Sequence, residues 1–357
     1  MAKVDIPQPI ETVKKDVVWY GLDNLYPEYL ISLYNKSPKL QSMLSTIADF
    51  ISGQGFDDSN EAINTFIANP FNKETLQEIL PKIALDLVIY GAYTLNIIWS
   101  KDGKSISQIK YINIAKFRFN KEIEYEDTEN GVQYCWLCSD WKNERKNPAQ
   151  RYQLFDGVNR EEKSQIAYFY KYSPNMSYYA APFWSASSNW AELDFQIGNF
   201  HLQNAINGYT PSLHINVATG EPTPEEQADF KRKLDTEYKG TDNASKILLS
   251  FSEGQDKATT VTPIQLNDSD KRYEGLQDQI IQNILIAGKA TASELFGIKS
   301  AAGLAAKADL VEALDVYKIK VVKSFQDIIN KGFIKMLKIN GVSEPITIKP
   351  YSLDNQQ

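Results

Sequence analysis

The sequence predicts an α+β protein, and three observations lead to that class. Apolar residues recur at helical spacing in several segments and at the alternating spacing of strands in others, with a change of period at Gly91. The strand-like segments between 93 and 172 are joined by short connections, which favours a largely antiparallel sheet. The chain has 357 residues, of which 43% are apolar and 23% charged, so it holds enough apolar surface for a sizeable core.

The first half of the chain is predicted to hold two helices followed by strands. Residues 1–36 are rich in proline and aromatic residues without a clear period, and we predict irregular structure there. Ser37 and Pro38 then supply an N-cap and a first helical residue, and this helix ends at Gly53. A second helix is predicted over 73–90. Strands are predicted at 93–99, 105–119, 132–139, 150–156 and 165–172.

After Pro182 the pattern predicts two long helices that bracket a small β-α-β segment. Thr223 and Glu226, with Pro224 between them, form a capping box at the start of the short helix in that segment. The predicted elements are a helix at 187–208, a strand at 211–217, a helix from Thr223, a strand at 246–251, and helices at 268–290 and 306–338, followed by a strand at 345–350.

The two cysteines, Cys135 and Cys138, are predicted to be buried or half-buried thiols. Their C-x-x-C spacing also occurs in redox and zinc sites, and those remain the alternatives. The pair lies in a strand-like aromatic run rather than at a strand-to-helix turn, which disfavours redox chemistry. A structural zinc site needs four ligands at close spacing, and the chain has only two cysteines and two histidines.

No catalytic, cofactor-binding or metal-ligating motif is found. There is no phosphate-binding G-x-x-x-x-G-K-[ST] loop, and the Gly53–Gly55 turn lacks the third glycine of a dinucleotide fingerprint. His201 and His214 stand apart from any nucleophile. The sequence therefore predicts a non-enzymatic protein without cofactor, and a hydrolase with an unrecognised site is the alternative within the enzyme class.

The charge balance argues against a protein that holds nucleic acid tightly along its phosphates. The formal net charge is −7, from 38 basic and 45 acidic residues, whereas such proteins are normally basic. No apolar run is long enough to cross a membrane, and the N-terminal residues lack the apolar core of a signal peptide. We therefore expect neither a membrane-spanning protein nor secretion by that route.

The order of elements resembles that of the portal proteins of tailed bacteriophages. In that family an α/β wing leads into a stem helix, a small α/β clip, a second stem helix, a tunnel loop and a long C-terminal helix. The runs that carry the resemblance are Ser37–Phe56, Asp86–Tyr93, Thr210–Leu213 and Leu295–Ile298. The match covers nearly the whole chain in order, except between Gly131 and Asn175, where no alignment is made.

The resemblance implies a division of the chain into the parts of a portal subunit, with the crown absent or minimal. The expected parts are an N-terminal wing at 1–185, stem helix 1 at 186–210, the clip at 211–262, stem helix 2 at 263–292, the tunnel-loop region at 293–306, and the long C-terminal helix with a wing strand at 307–357.

The resemblance also implies a function. Portal subunits form a ring, usually of twelve copies, at one capsid vertex, through which double-stranded DNA is packaged and ejected. The expected partners are other copies of the chain, DNA without sequence preference, the terminase large subunit, a head–tail connector protein, and capsid and scaffold proteins. The protein would assemble in the host bacterial cytoplasm and reside in the virion. The alternative is a non-channel adaptor or scaffold protein of a phage-like particle.

Two groups of residues are candidate contacts. Lys299, Ser300, Gly303 and Lys307 are expected in a tunnel loop that touches DNA phosphates, with an ordinary solvated loop as the alternative. Expected clip contacts with partner proteins are Lys231, Arg232 and Tyr238, where a solvated helix face is the alternative. Residues 186–290 hold 15 acidic and 9 basic side chains, and part of this charge is expected to face the bore and keep DNA passage free, or else to lie on a solvated outer face.

Overall fold

A computed structural model describes residues 6–69, 71–121, 132–207, 213–217, 223–229, 232, 247–251, 269–298 and 306–352. The chain divides into two units. The first comprises Met1–Ala191 and Ile281–Gln357, and the second comprises Glu192–Ile280. Helices and strands occur in both units, which confirms the predicted α+β class.

The N-terminal region is regular, so the prediction of irregular structure over 1–36 is wrong. Its elements are β1 (Glu11–Lys14), β2 (Val17–Tyr20) and α1 (Tyr26–Lys36), with β1 and β2 forming an antiparallel hairpin. Pro27 lies in the first turn of α1, where its missing N–H costs no hydrogen bond. Leu30 and Leu33 are buried at helical spacing, and this short apolar stripe stabilises α1 by packing.

The next helices are α2 (Pro38–Ser52), α3 (Glu61–Ala68) and α4 (Leu76–Tyr90). α2 begins as predicted, with the Ser37 side chain accepting the Leu40 N–H, and ends at Gly53, whose φ is +53°. An added Cβ at Gly53 would collide with the main-chain oxygen of Lys349, so only glycine fits this turn. α4 confirms the second predicted helix, whereas α3 is an additional one.

A six-stranded sheet follows α4. Its strands are β3 (Ala92–Trp99), β4 (Ile106–Ile112), β5 (Phe117–Phe119), β6 (Tyr134–Leu137), β7 (Gln150–Leu154) and β8 (Ser164–Tyr170), in the order β4-β3-β8-β7-β6-β5. All pairs are antiparallel except β7 with β8. The prediction of a single strand at 105–119 is wrong, because a 3₁₀ turn at Ile114–Lys116 divides this segment into β4 and β5. These two strands lie at opposite edges of the sheet.

The second half contains α5 (Ser188–Asn207), β9 (Leu213–Val217), β10 (Ile247–Phe251), α6 (Ser269–Ala287), α7 (Lys307–Tyr317) and α8 (Lys323–Ile339). β9 and β10 pair in parallel. Residues 224–229 are helical, and Thr223 and Glu226 form the predicted capping box, with the Thr223 N–H donating to Glu226 at 2.9 Å. A π-helical segment, Lys318–Val322, joins α7 to α8, so the helix predicted at 306–338 is continuous but contains one wider turn.

The predicted strand at 345–350 is reduced to a single antiparallel bridge between Phe56 and Ile348. The partner segment is the tight turn after α2, which offers too short an extended stretch for a regular strand. Hydrogen bonds from Gln54 and to Gly55 still fix Lys349 there. Among the described helices, none combines the length and the apolar composition that a membrane crossing requires.

α8 packs closely on the sheet. An added Cβ at Gly332 would lie 2.9 Å from the Tyr93 hydroxyl and from the Phe169 ring, so glycine permits the close approach of helix and sheet. The Phe56 and Phe333 rings stack edge to face at 5.0 Å in the same core. α8 is therefore held rigidly in the first unit, with α7 continuing from it.

Candidate functional site

The structure describes both ends of the segment expected to form the tunnel loop. A 3₁₀ turn at Ser293–Phe296 precedes it, and α7 begins after it with Lys307 as its first residue. Lys299, Ser300 and Gly303 lie outside the described residues. Of the four candidate DNA contacts, only the position of Lys307 is therefore known, and its contact with DNA stays a prediction.

The residues that flank this segment are anchored to the first unit. The Tyr317 hydroxyl donates to the Gly288 oxygen at 2.8 Å, and the Ser42 hydroxyl donates to the Phe296 oxygen at 2.8 Å. The rings of Phe50, Phe296 and Tyr317 pack edge to face. Burial raises the pKa of Tyr317, so its phenol stays protonated and remains a donor. α2, the end of α6 and α7 thus form one framework around the loop ends.

One side of α7 and of the π-helical segment after it presents several apolar side chains to solvent. We call it the α7 face, and it is lined by Ala308, Val311, Glu312, Asp315, Val316 and Ile319, with Lys307 at its N-terminal end. Ile319 is 74% exposed, which is unusual for a large aliphatic side chain. Asp315 pairs locally with Lys318 at 2.9 Å, and Glu312 is exposed.

A second surface feature is a pair of lysines, Lys171 and Lys289, near Ser324 at the start of α8. We call Lys171 and Lys289, together with Ser324, the lysine cluster. The Lys171 ammonium donates to the Ser324 hydroxyl at 2.7 Å and lies 3.9 Å from the centre of the Phe325 ring. Within the described part of the chain, neither lysine forms an ion pair with a carboxylate. Burial, and then the charge of Lys289, lower the pKa of Lys171.

The expected clip contacts are described at one position. The Arg232 guanidinium lies 2.5 Å from Asp229, and both side chains are largely exposed. Lys231 and Tyr238 lie outside the described residues. Arg232 is thus accessible for a partner protein, but its contact with one stays a prediction.

The cysteines are buried thiols, as predicted. Cys135 is fully buried in β6, and Cys138 donates its thiol proton to the Asn147 oxygen at 2.9 Å. Burial raises the pKa of both thiols, which opposes formation of a reactive thiolate. Among the described residues, no three His, Cys, Asp or Glu side chains converge as a metal site would require.

One buried carboxyl group, Asp86 on α4, has a strongly perturbed acidity. Burial raises its pKa from 3.8 to about 7, while hydrogen bonds from the Tyr111 hydroxyl at 2.9 Å and from the Ile114 main chain oppose that shift. Perturbed carboxyls often mark active sites. Here the group is enclosed between α4 and β4 and saturated by these two donors, so we assign it a structural role.

No family model matches the chain, and no curated protein matches it. Several solved structures do match the chain. A chain of the virion of a native gene transfer agent (GTA) particle aligns with 14% identity and a TM-score of 0.58, covering 96% of this chain and 88% of that one. A chain from the neck of the native GTA particle, computed with C12 symmetry, aligns with 13% identity and a TM-score of 0.57, covering 95% and 86%.

A crystal structure of an HK97-family phage portal protein from Corynebacterium diphtheriae also aligns, with 11% identity, a TM-score of 0.47 and coverage of 89% and 94%. At these identities the similarity establishes the fold. The fold shared with the two GTA chains extends over nearly the whole of this chain.

The sequence did not predict that these residues come together as the lysine cluster and the α7 face. Lys171, Lys289 and Ser324 are distant in sequence and meet only because β8, the end of α6 and α8 converge. The eight lysines against four acidic residues over 299–338 were the one sequence signal for this region.

Proposed function

We propose that this chain is the portal subunit of a tailed phage or phage-like particle. In this proposal it forms a ring at one capsid vertex, and double-stranded DNA passes through the bore during packaging and ejection. The observation that carries the proposal is the fold similarity over 95% of the chain to a component of a GTA neck computed with C12 symmetry. A subunit that repeats around such an axis has the symmetry a portal ring requires.

The proposed parts follow the order of a portal subunit. Residues 1–185 would form the wing, 186–210 and 263–292 the two stem helices, and 211–262 the clip. The division of the chain into a first unit interrupted by Glu192–Ile280 supports an inserted clip, because such an insert needs two connecting segments. Stem helix 2 would return to the wing, and the long C-terminal helix with a wing strand would occupy 307–357.

The proposed partners follow from these positions. The clip, with Lys231, Arg232 and Tyr238, would bind the terminase large subunit during packaging and a head–tail connector protein afterwards. Lys299, Ser300, Gly303 and Lys307 would lie near DNA in a tunnel loop, because cations contact phosphates without reading sequence. The role is structural, and the packaging ATPase would be a separate protein.

The first experiment is native mass measurement with negative-stain imaging of the purified chain. Twelve copies of a 40.5 kDa chain give about 490 kDa, and the expected particle is a ring with a hole wide enough for a DNA duplex. A small closed oligomer without a bore would contradict the proposal and favour an adaptor or scaffold protein.

A second experiment tests the tunnel loop. Deletion of 300–305 is expected to leave the ring mass unchanged and to impair DNA retention in packaged particles. A deletion that abolishes the ring would show that this segment is needed for assembly instead.

A further inference from the structure

We propose that the solvent-facing side of α8 binds the phosphate backbone of double-stranded DNA, as a contact separate from the tunnel loop. We call this side the α8 face, and its residues are Lys323, Asp327, Lys331, Lys335 and Lys338. The proposal rests on the proposed function, because the chain meets DNA only as part of a particle that contains it. Charge, exposure and rigidity of the helix carry it.

The α8 face is one continuous stripe of the helix. An α-helix turns by about 100° per residue, so its five positions lie within about 120° of one another around the axis. All five side chains are exposed, whereas Phe325, Ile329 and Phe333 on the opposite side are buried. From Lys323 to Lys338 the stripe is about 22 Å long, at about 1.5 Å per residue.

The stripe is positively charged in a chain whose formal net charge is −7. It carries four lysines, and Asp327 is the only acidic residue between Lys323 and Lys338. Within the described part of the chain, none of the four lysines forms an ion pair with a carboxylate. Lys331 and Lys335 are four residues apart, and like charges at this spacing destabilise a helix. The arrangement therefore favours an anion from outside the chain.

A fifth cation reaches the same side of the helix from the end of β8. The Lys171 ammonium donates to the Ser324 hydroxyl at 2.7 Å, and Ser324 lies about 100° around the axis from Lys323, within the range of the α8 face. The same ammonium lies 3.9 Å from the centre of the Phe325 ring. Because these two neighbours hold Lys171 without neutralising its charge, it adds to the positive potential of the face.

The composition of the α8 face favours a polyanion over a packed protein partner. The exposed residues of α8 are its four lysines, Ser324 and Asp327, with no large apolar side chain among them. The cores of protein interfaces are instead enriched in aromatic residues and depleted in lysine. Basic residues along one side of a helix are typical of nucleic-acid-binding surfaces. A duplex carries one negative charge per about 1.7 Å of its axis, so about 13 phosphates lie along 22 Å.

α8 supports these cations rigidly. Gly332 lets the helix approach Tyr93 and Phe169 closely, and the Gln326 amide donates to the Ile51 oxygen at 2.9 Å. A fixed row of charges loses less conformational freedom on binding than a flexible segment does. Because each phosphate contact acts by releasing a counterion, we expect binding that does not depend on DNA sequence and that falls steeply as the salt concentration rises.

The test measures the affinity of the purified full chain for a fluorescein-labelled DNA duplex, by fluorescence anisotropy over a series of salt concentrations. The α8 variant replaces all four lysines of the face by glutamine. Each lost phosphate contact reduces the slope of log K against log salt concentration by about 0.9, so the four substitutions should reduce it by about 3.6. Far-UV circular dichroism and native mass establish whether the variant keeps its helices and its assembly.

The control variant makes the same change in net charge at four exposed lysines outside α8, which are Lys101, Lys110, Lys142 and Lys146. Its slope should equal that of the unmodified chain. An α8 variant with the slope of the control would overturn the inference, as would an unmodified ring that binds no duplex at low salt. An α8 variant that binds DNA normally but loses the ring would also overturn it, and would assign the face to a contact between copies. If the unmodified chain forms no ring, the proposed function itself fails, whatever the slopes.

Discussion

Arg118 on β5 holds the loop before α1 through a pair of hydrogen bonds to Asn24. Its Nη2 donates to the main-chain oxygen of Asn24 at 2.6 Å and its Nε to the side-chain oxygen at 2.5 Å. The oxygens of Ala115 and Phe117 accept from Nη1. The side chain is fully buried, and its nearest carboxylate, Glu28, lies 3.6 Å away. A buried guanidinium thus organises both the hairpin–helix connection and the sheet edge.

We expect Arg118→Met to lower the free energy of unfolding by at least about 3 kcal/mol, because it leaves several buried carbonyl oxygens without donors. The measurement is urea unfolding followed by circular dichroism. Arg145→Gln, at an exposed position, serves as the control and should change stability by less than about 0.5 kcal/mol. An Arg118→Met protein as stable as the control would contradict the structural role.

Asp86 should make stability fall as the pH rises. Its pKa is about 7 in the folded protein and about 3.9 in the unfolded chain. Below pH 4 the carboxyl group is protonated in both the folded and the unfolded state, so its ionisation does not lower the free energy of unfolding. Between pH 4 and 7 it ionises mainly in the unfolded chain, so folding is progressively penalised.

The measurement compares urea midpoints of the natural protein and Asp86→Asn from pH 4 to pH 8. The urea midpoint of the natural protein should fall relative to that of Asp86→Asn as the pH rises from 4 to 7. Asp327→Asn, at an exposed position, controls for the loss of one charge. Parallel curves for Asp86→Asn and the natural protein would show that Asp86 titrates normally.

The sequence predicted the elements whose signals are local. Ser37 and Pro38 identify the start of α2, and Thr223 with Glu226 identifies a capping box that the structure contains. The sequence did not predict α1, because this helix is stabilised by the packing of Leu30 and Leu33. The segment is too short for its periodicity to indicate a helix.

The features that depend on distant residues were not predictable in the same way. Nothing near Arg118 in sequence indicates a buried cation, since its partner Asn24 is 94 residues away. The lysine cluster likewise combines β8 with α8 and the end of α6. Of the candidate DNA contacts, Lys307 alone is placed, at the first turn of α7.

The buried thiols should be slow to react in the native protein. Burial raises the pKa of Cys135 and Cys138, and the thiolate is the reactive form. We expect a colorimetric thiol reagent to modify Cys135 only after unfolding in denaturant, and Cys138 no faster than a tenth of the rate of a free cysteine. Exposed Ser59→Cys provides the accessible control in the same chain. Rapid modification of both native thiols, or a disulfide between them in air, would support the redox alternative.

Two asparagines cover the outer edge of the sheet. Asn340 accepts the Ile106 N–H at 2.7 Å and donates to the Ile106 oxygen at 3.0 Å. Asn69 makes the same pair of bonds with Ile109, at 3.2 and 2.8 Å. Their side-chain amides therefore occupy the positions that a neighbouring strand would take beside β4. An uncovered edge strand is a template for pairing with another chain.

We expect replacement of both asparagines by leucine to expose this edge, because leucine offers neither donor nor acceptor; at Asn69, whose φ is +48°, it also adds backbone strain. The variant should lose about 1–3 kcal/mol per unsatisfied pair and form aggregates heavier than any ring, with light scattering that rises with protein concentration. Asn340→Asp keeps the acceptor for the Ile106 N–H but replaces the donor by a charged oxygen that faces the Ile106 carbonyl, so it should destabilise without driving aggregation as strongly. Asn143→Leu, in an exposed turn, controls for the added apolar surface. If the double variant remains as soluble as this control, the two amides complete the hydrogen bonding of β4 but do not protect it from other chains.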